Sequence, residues 1–125
     1  MSWSIDVFVS GPSSLPDFKA QIETLTDLHL QHVVEDGREK FEAFEREHLV
    51  IVNVHDLLND GDRQFERYPY EVAVWPMGSG DHDREVSTAF ATRLYEHLER
   101  VPHYRVMLVR DLQDKLRESA PVNAP

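Results

Sequence analysis

Residues 3–9 have the sequence WSIDVFV, in which the side chains alternate strictly. A period of two is typical of a β-strand with one well-buried face. The alternation defines two sets: Trp3, Ile5, Val7 and Val9 on one side, and Ser4, Asp6 and Phe8 on the other.

A helix is predicted directly after this strand. Residues 11–14 form a turn, Ser14 is a suitable N-cap, and Pro16 is tolerated in a first helical turn. Apolar residues then recur at spacings of three and four, which predicts an amphipathic helix over residues 15–27. Its apolar stripe contains Leu15, Phe18, Ile22, Leu25 and Leu28.

The middle of the chain predicts further strands. Residues 28–34 alternate again, and residues 35–37 (EDG) are typical of a hairpin turn. Residues 38–47 fit a strand or a helix, and we expect a polar edge strand there. Residues 48–54 are nearly all apolar and mostly β-branched, which predicts a central strand covered on both faces.

A second strand and helix follow a polar excursion. Residues 70–76 (YEVAVWP) predict a strand that Pro76 ends, and Asp81 or Asp83 is expected to cap the next helix. The apolar stripe predicted for that helix contains Val86, Phe90, Leu94, Leu98 and Val101.

The C-terminal part predicts one more strand, over residues 104–110, and a short closing turn of helix at Leu112 and Leu116. We therefore expect an α+β open-faced sandwich with the core order β-α-β-β-β-α-β. This is a ferredoxin-like variant with two helices on one face of a mainly antiparallel sheet. Residues 1–118 form a single domain in this interpretation, and residues 119–125 (SAPVNAP) form a disordered tail.

The predicted sheet has a second face that is too apolar for free solvent. Its residues are Phe8, Ala73, Trp75, Met107 and Val109. Such a patch indicates an interface or a covering layer. Three kinds of cover fit the sequence: residues 28–47 or the long loop of the same chain, a foreign partner, or a second copy that forms a homodimer through Phe8, Trp75 and Met107. The sequence leaves these alternatives open.

Composition narrows the classes of function. The chain has no cysteine and a formal net charge of −10, from 13 Lys and Arg against 23 Asp and Glu. Binding to nucleic acid or to anionic membranes is disfavoured because both require cationic surface, whereas a basic protein partner is attracted. The N-terminus lacks the basic and apolar regions of a signal peptide, so we expect a cytoplasmic protein.

No catalytic or metal-binding signature stands out. Residues 77–80 (MGSG) lack the lysine of a phosphate-binding loop, and His29 and His32 fall on opposite faces of a predicted strand. We therefore expect no cofactor and no metal, and we favour a binding protein over an enzyme. The alternative is a small-ligand domain or enzyme in which His55, His82 or Asp111 does acid–base work.

The loop before residue 70 has the composition of a protein interface. Acidic residues alternate there with aromatic rings, which are common energetic anchors of interfaces. The alternative is that the rings pin the loop to the core. The predicted partner contacts comprise six residues of this segment and Trp75 on the adjoining strand: Asp56, Asp60, Asp62, Phe65, Glu66, Tyr68 and Trp75.

Three segments carry a resemblance to known proteins. Residues 4–9 (SIDVFV), the sequence Phe65-x-x-Tyr68-Pro69-Tyr70 and residues 106–111 (VMLVRD) resemble small bacterial domains of uncharacterised function. Some small acidic proteins of this general type are immunity partners of secreted toxins. The resemblance implies a protein that occludes the active site of a basic enzyme such as a nuclease toxin. A small-ligand domain or enzyme of the dimeric ferredoxin-like type, and a structural homodimer subunit, are the alternatives.

Overall fold

The computed structural model of the chain describes residues 3–45, 47–54, 68–111 and 114–119. The elements in chain order are β1 (Ile5–Ser10), α1 (Leu15–Thr26), β2 (Gln31–Glu35), β3 (Arg38–Phe44), β4 (His48–Val54), β5 (Tyr70–Pro76), α2 (Asp81–Leu98), β6 (Arg105–Arg110) and β7 (Asp114–Glu118). The seven strands described form one antiparallel sheet in the order β2-β3-β4-β5-β1-β6-β7. The predicted α+β class is confirmed, and the sheet is wider than predicted. Neither α1 nor α2 is long and apolar enough to cross a membrane.

Both ends of α1 are fixed by local hydrogen bonds. The Ser14 hydroxyl accepts a hydrogen bond from the backbone N–H of Asp17 at 3.2 Å, and Pro16 lies in the first turn. At the C-terminal end Asp27 has a left-handed φ of 63°, and its N–H donates to the carbonyl of Glu23 at 2.9 Å. The helix predicted over residues 15–27 is therefore confirmed, with Leu15, Phe18 and Ile22 as its buried residues.

A tight hairpin joins β2 and β3. Asp36 and Gly37 have φ angles of 52° and 76°. Positive φ at both central residues is typical of the two-residue hairpin turn that matches strand twist. This turn folds β2 back onto β3, so β2 is the edge of the sheet and β3 is paired on both sides. The strand predicted over residues 38–47 is therefore confirmed as β3, but its predicted position at the edge of the sheet was wrong.

The central strand β1 is buried on both faces of the sheet. It lies between β5 and β6, and every residue from 5 to 9 is buried. On the helix face, Ile5, Val7 and Val9 join a core to which α1 and α2 both contribute. Trp3 packs against the same core and is partly buried. The helix-facing set predicted from alternation is therefore confirmed.

The helix α2 packs through a stripe shifted by about one position from the predicted one. Gly80 is the N-cap residue, and the Asp83 carboxylate accepts a hydrogen bond from its N–H at 3.3 Å. Asp81, the other predicted cap, is the first helical residue instead. Small side chains in the middle of the helix allow its close approach to the sheet. The buried residues are Ser87, Ala91, Leu94, Tyr95 and Leu98.

The C-terminal part differs most from the prediction. Residues 114–118 form the edge strand β7, so the prediction of a closing helical turn was wrong at Leu116. Leu112, the other residue of that prediction, lies outside the described residues. Antiparallel pairing with β6 favours the extended conformation over the local helical spacing. Ser119, which we assigned to the tail, is held by two hydrogen bonds of 2.9 Å. Its backbone N–H donates to the carbonyl of Val106, and its hydroxyl accepts from the backbone N–H of Val106. Residues 120–125 lie outside the described residues.

The strand β4 is covered on one face only. His48, Val50 and Val52 are buried beneath the helices, whereas Leu49 and Ile51 on the other face are partly exposed. The predicted central strand is confirmed, since β3 and β5 pair with β4 on either side, but its second face is only partly covered because both helices pack on the same side of the sheet. The face without helices is called the second face below.

Two phenylalanines on the second face differ in burial, and their substitution tests the described packing. Phe8 is fully buried and Phe44 is 68% exposed. We expect Phe8→Ala to lower the free energy of unfolding by about 3–5 kcal/mol and Phe44→Ala to change it by less than about 0.5 kcal/mol. Urea denaturation measures both values. Similar losses for the two variants would contradict the described packing.

Candidate functional site

The second face is covered where β1 and β6 lie. Phe8, Met107 and Val109 are buried there and pack with Tyr68, whose ring is only 5% exposed. The Tyr68 hydroxyl donates a hydrogen bond to the Glu118 carboxylate on β7. Tyr68, predicted as a partner contact, therefore belongs to the interior of the protein. Phe8 and Met107 offer no surface to a second copy in this structure.

On the other half of the second face, the described part of the chain leaves an apolar surface partly open. Phe44 of β3 lies opposite Leu49 of β4, and Leu49 lies opposite Trp75 of β5. The three side chains form a row across three strands, and Ile51 lies next to it on the same face. Leu49, Ile51 and Trp75 are each partly exposed. These four residues are called the open patch.

Charged side chains flank the open patch. Glu42 lies opposite Ile51. Further along the same face, Lys40 of β3 and Glu71 of β5 lie on either side of Asn53 of β4. The Lys40 ammonium is 3.8 Å from the Glu42 carboxylate, so part of this charge is neutralised locally. One more exposed carboxylate, Glu47, occurs in the turn between β3 and β4, whereas the carboxylate of the neighbouring Glu45 contacts His48 on the helix side. Carboxylates therefore outnumber the single ammonium group of Lys40 beside the open patch.

A buried carboxyl group lies in the middle of the second face. Asp6 is 1% exposed, and the Ser4 hydroxyl donates a hydrogen bond to it at 2.8 Å. The pKa of Asp6 is raised from 3.8 to about 7, mainly by burial; hydrogen bonds with Ser4 and Glu71 oppose the rise, and the charge of Asp111 adds to it. The protonated form of the Asp6 carboxyl group is therefore favoured up to near-neutral pH.

Of the residues predicted for acid–base chemistry, the two that the structure describes, Asp111 and His82, are not brought together. Asp111 lies near Asp6, and its backbone N–H donates to the Ser4 carbonyl at 2.7 Å. His82 is exposed in the first turn of α2, on the opposite side of the sheet, and His55 lies outside the described residues. In the described ranges no group of three or more His, Asp or Glu side chains is arranged to hold a metal ion.

A histidine that the sequence analysis did not single out is buried between β4 and α2. The His48 Nδ1 atom is 3.4 Å from the Ser87 hydroxyl, and its Nε2 atom is 3.3 Å from the Glu45 carboxylate. The Nε2 contact is not aligned as a hydrogen bond. The order carboxylate, imidazole, hydroxyl is that of a nucleophilic triad, but Ser87 is fully buried and no substrate reaches it. Its alternation with Val50 and Val52 is the sequence signal from which the helix face could have been assigned to His48.

Most of the predicted partner contacts lie outside the described residues. Of the seven, the structure describes only the buried Tyr68 and the partly exposed Trp75, which belongs to the open patch. The residues of which nothing is described are Asp56, Asp60, Asp62, Phe65 and Glu66.

Asp6 makes stability depend on pH. Its pKa of about 7 in the folded chain exceeds the ordinary 3.8. The folded state therefore binds the proton more tightly, so this contribution to stability is fully present below pH 3.8 and is lost as the pH rises through about 7. We expect Asp6→Asn to flatten this slope and, at pH 8, to raise the free energy of unfolding by on the order of a few kcal/mol, since one pKa unit equals about 1.4 kcal/mol.

Urea denaturation of the wild-type protein and of Asp6→Asn at several pH values between 4 and 8 measures the effect. Asp111→Asn is the control, because it removes the repulsion but leaves Asp6 buried, and it should keep most of the slope. A wild-type chain with no loss of stability across this range would contradict the assignment.

Comparison with known proteins does not extend these observations. No family model matches the chain, and neither the curated proteins nor the solved structures contain a significant match to it.

Proposed function

We propose that this protein is a binding module that docks a basic protein partner on the open patch. The observation that carries the proposal is the row of the exposed Phe44 and the partly exposed Leu49 and Trp75 across three neighbouring strands. Neither α1 nor α2 covers this row, although both faces of the adjoining strand β1 are buried. Exposed contiguous apolar surface of this kind is typical of interaction sites.

The chemistry of the patch suits an interface. Aromatic side chains bury large areas at a small cost in conformational entropy, and they commonly contribute most of the binding free energy. The strands hold Phe44 and Trp75 on a paired backbone, so little further ordering is needed on binding. The partner is expected to bring an apolar protrusion that fills the row.

The charge of the chain supports a basic partner. The net charge of −10 attracts cationic proteins at long range, and the glutamates around the open patch provide specific positions for lysine or arginine. Inhibition of a basic enzyme, such as a nuclease toxin, is the most specific form of this proposal. An acidic surface with an apolar anchor competes with nucleic acid for the same cationic cleft.

We further propose that the sheet contains a ferredoxin-like core extended at both ends. The neighbouring order β4-β5-β1-β6, with α1 and α2 on one face, supports this interpretation. The strands β2 and β3 then add to one edge and β7 to the other. In such an open-faced arrangement the face without helices is available for binding.

A binding experiment with matched variants tests the proposal. Tagged wild-type protein, Phe44→Ser and Trp75→Ser are incubated at low salt with lysate of the source cell, and captured proteins are identified by mass spectrometry. We expect a basic protein whose affinity falls at least about 30-fold in each variant, as for anchor residues worth 2 kcal/mol or more. Val34→Ser is the control, since Val34 is similarly exposed (59%) but points to the helix side of the edge strand.

Three outcomes would contradict the proposal. One is capture that Phe44→Ser and Trp75→Ser leave unchanged, and another is capture restricted to acidic proteins. The third is a wild-type chain that light scattering finds dimeric at both low and high salt and that both variants make monomeric. That result would assign the open patch to a homodimer.

A further inference from the structure

A separate cavity lies on the helix side of the sheet, away from the open patch. It has a volume of about 680 Å³ and lies between the first half of α2, Trp3 before β1, and Arg110 at the end of β6. This volume is in the range of small-molecule sites, about 300–1,000 Å³. The walls come from three separate parts of the fold, so the tertiary structure shapes the cavity.

The inner wall of the cavity is aromatic and cationic. The Arg84 guanidinium lies 5.3 Å from the centre of the Trp3 ring, and Thr88 is one turn further along α2 on the same row. Trp3, Arg84 and Thr88 are all partly buried. Stacking on the indole restricts the guanidinium, which reduces the entropy lost when it binds a carboxylate.

The exposed part of the lining carries both signs of charge. Asp81 and Glu85 form a neighbouring row on α2, one turn apart, and Arg110 at the end of β6 is exposed as well. The lining therefore contains two carboxylates and two guanidinium groups, with an indole beside Arg84. This balance favours a ligand that carries both charges over one with several charges of a single sign.

We propose that this cavity binds a small zwitterion with an aromatic ring, of the class of the aromatic α-amino acids. The ligand carboxylate pairs with Arg84, its ring packs beside Trp3, and its ammonium group meets Glu85 and Asp81. The site is independent of the open patch, which lies on the other face of the sheet. Its ligand is also chemically distinct from a basic protein partner.

Tryptophan fluorescence tests the proposal directly. Trp3 and Trp75 are the two tryptophans of the chain, so Trp75→Phe leaves Trp3 in the cavity wall as the reporter. Phenylalanine, 3-phenylpropanoate and phenethylamine are titrated separately; the second lacks the amine and the third lacks the carboxylate. We expect phenylalanine to bind at least about tenfold more tightly than either. Equal affinities, stronger binding of the amine, preference for a nucleoside monophosphate, or no binding of phenylalanine would each overturn the proposal.

Variants in the same Trp75→Phe background assign the contacts. We expect Arg84→Gln to lower the affinity for phenylalanine at least about tenfold and Glu85→Gln to lower it while leaving binding of 3-phenylpropanoate unchanged or stronger. Arg93→Gln is the control, because Arg93 is an exposed arginine of α2 outside the cavity. An equal loss in Arg84→Gln and Arg93→Gln would overturn the assignment. The ligand series needs neither charge variant, so it decides the proposal even if Arg84→Gln does not fold.

Discussion

Burial of β1 on both faces is the constraint on which the rest of the structure depends. The strand lies inside a seven-stranded sheet, and residues 5–9 are all buried. The two helices cover one of its faces. On the other face, Phe8 requires cover that the helices cannot provide, and the ring of Tyr68 provides part of it. Strands further from β1 on the side of β3 and β4 do not receive this cover.

The asymmetry of the second face gives its two halves different chemical roles. The covered half stabilises the fold, and it holds Asp6 in surroundings that favour the protonated carboxyl group. The open half presents ordered apolar side chains beside carboxylates. Complete cover would save apolar surface from water, so the exposed row of Phe44, Leu49 and Trp75 favours a binding role.

Much of the fold was predictable because its signals are local. Alternation over residues 3–9 assigned the two faces of β1, Ser14 marked the start of α1, and Asp36-Gly37 marked the hairpin. The strand β7 was missed because Leu112 and Leu116 have helical spacing, whereas pairing with β6 is a nonlocal contact. The position of β3 was missed for the same reason, since only strand order identifies an edge.

The candidate site was harder to predict than the fold. A tyrosine next to acidic residues has the same local sequence whether its ring anchors a partner or fills the interior, and Tyr68 fills the interior. The open patch combines β3, β4 and β5, so its register appears only once the strands are paired. Trp75 was predicted because it alternates with Val72 and Val74, which face the helices. The cavity beside Trp3 lies where the start of β1 meets the end of β6. These segments are far apart in the sequence, so no local pattern indicated the cavity.

Oxidation of two methionines measures directly whether the second face is covered beside β1. Met77 directly follows β5 and is 58% exposed, whereas Met107 lies in the covered half and is 1% exposed. Under dilute hydrogen peroxide in native buffer, peptide mass spectrometry should detect sulfoxide at Met77 at least about tenfold faster than at Met107, because oxidation follows exposure of the thioether. Similar rates at the two positions in folded protein would mean that the face beside β1 is open, and the account would fail.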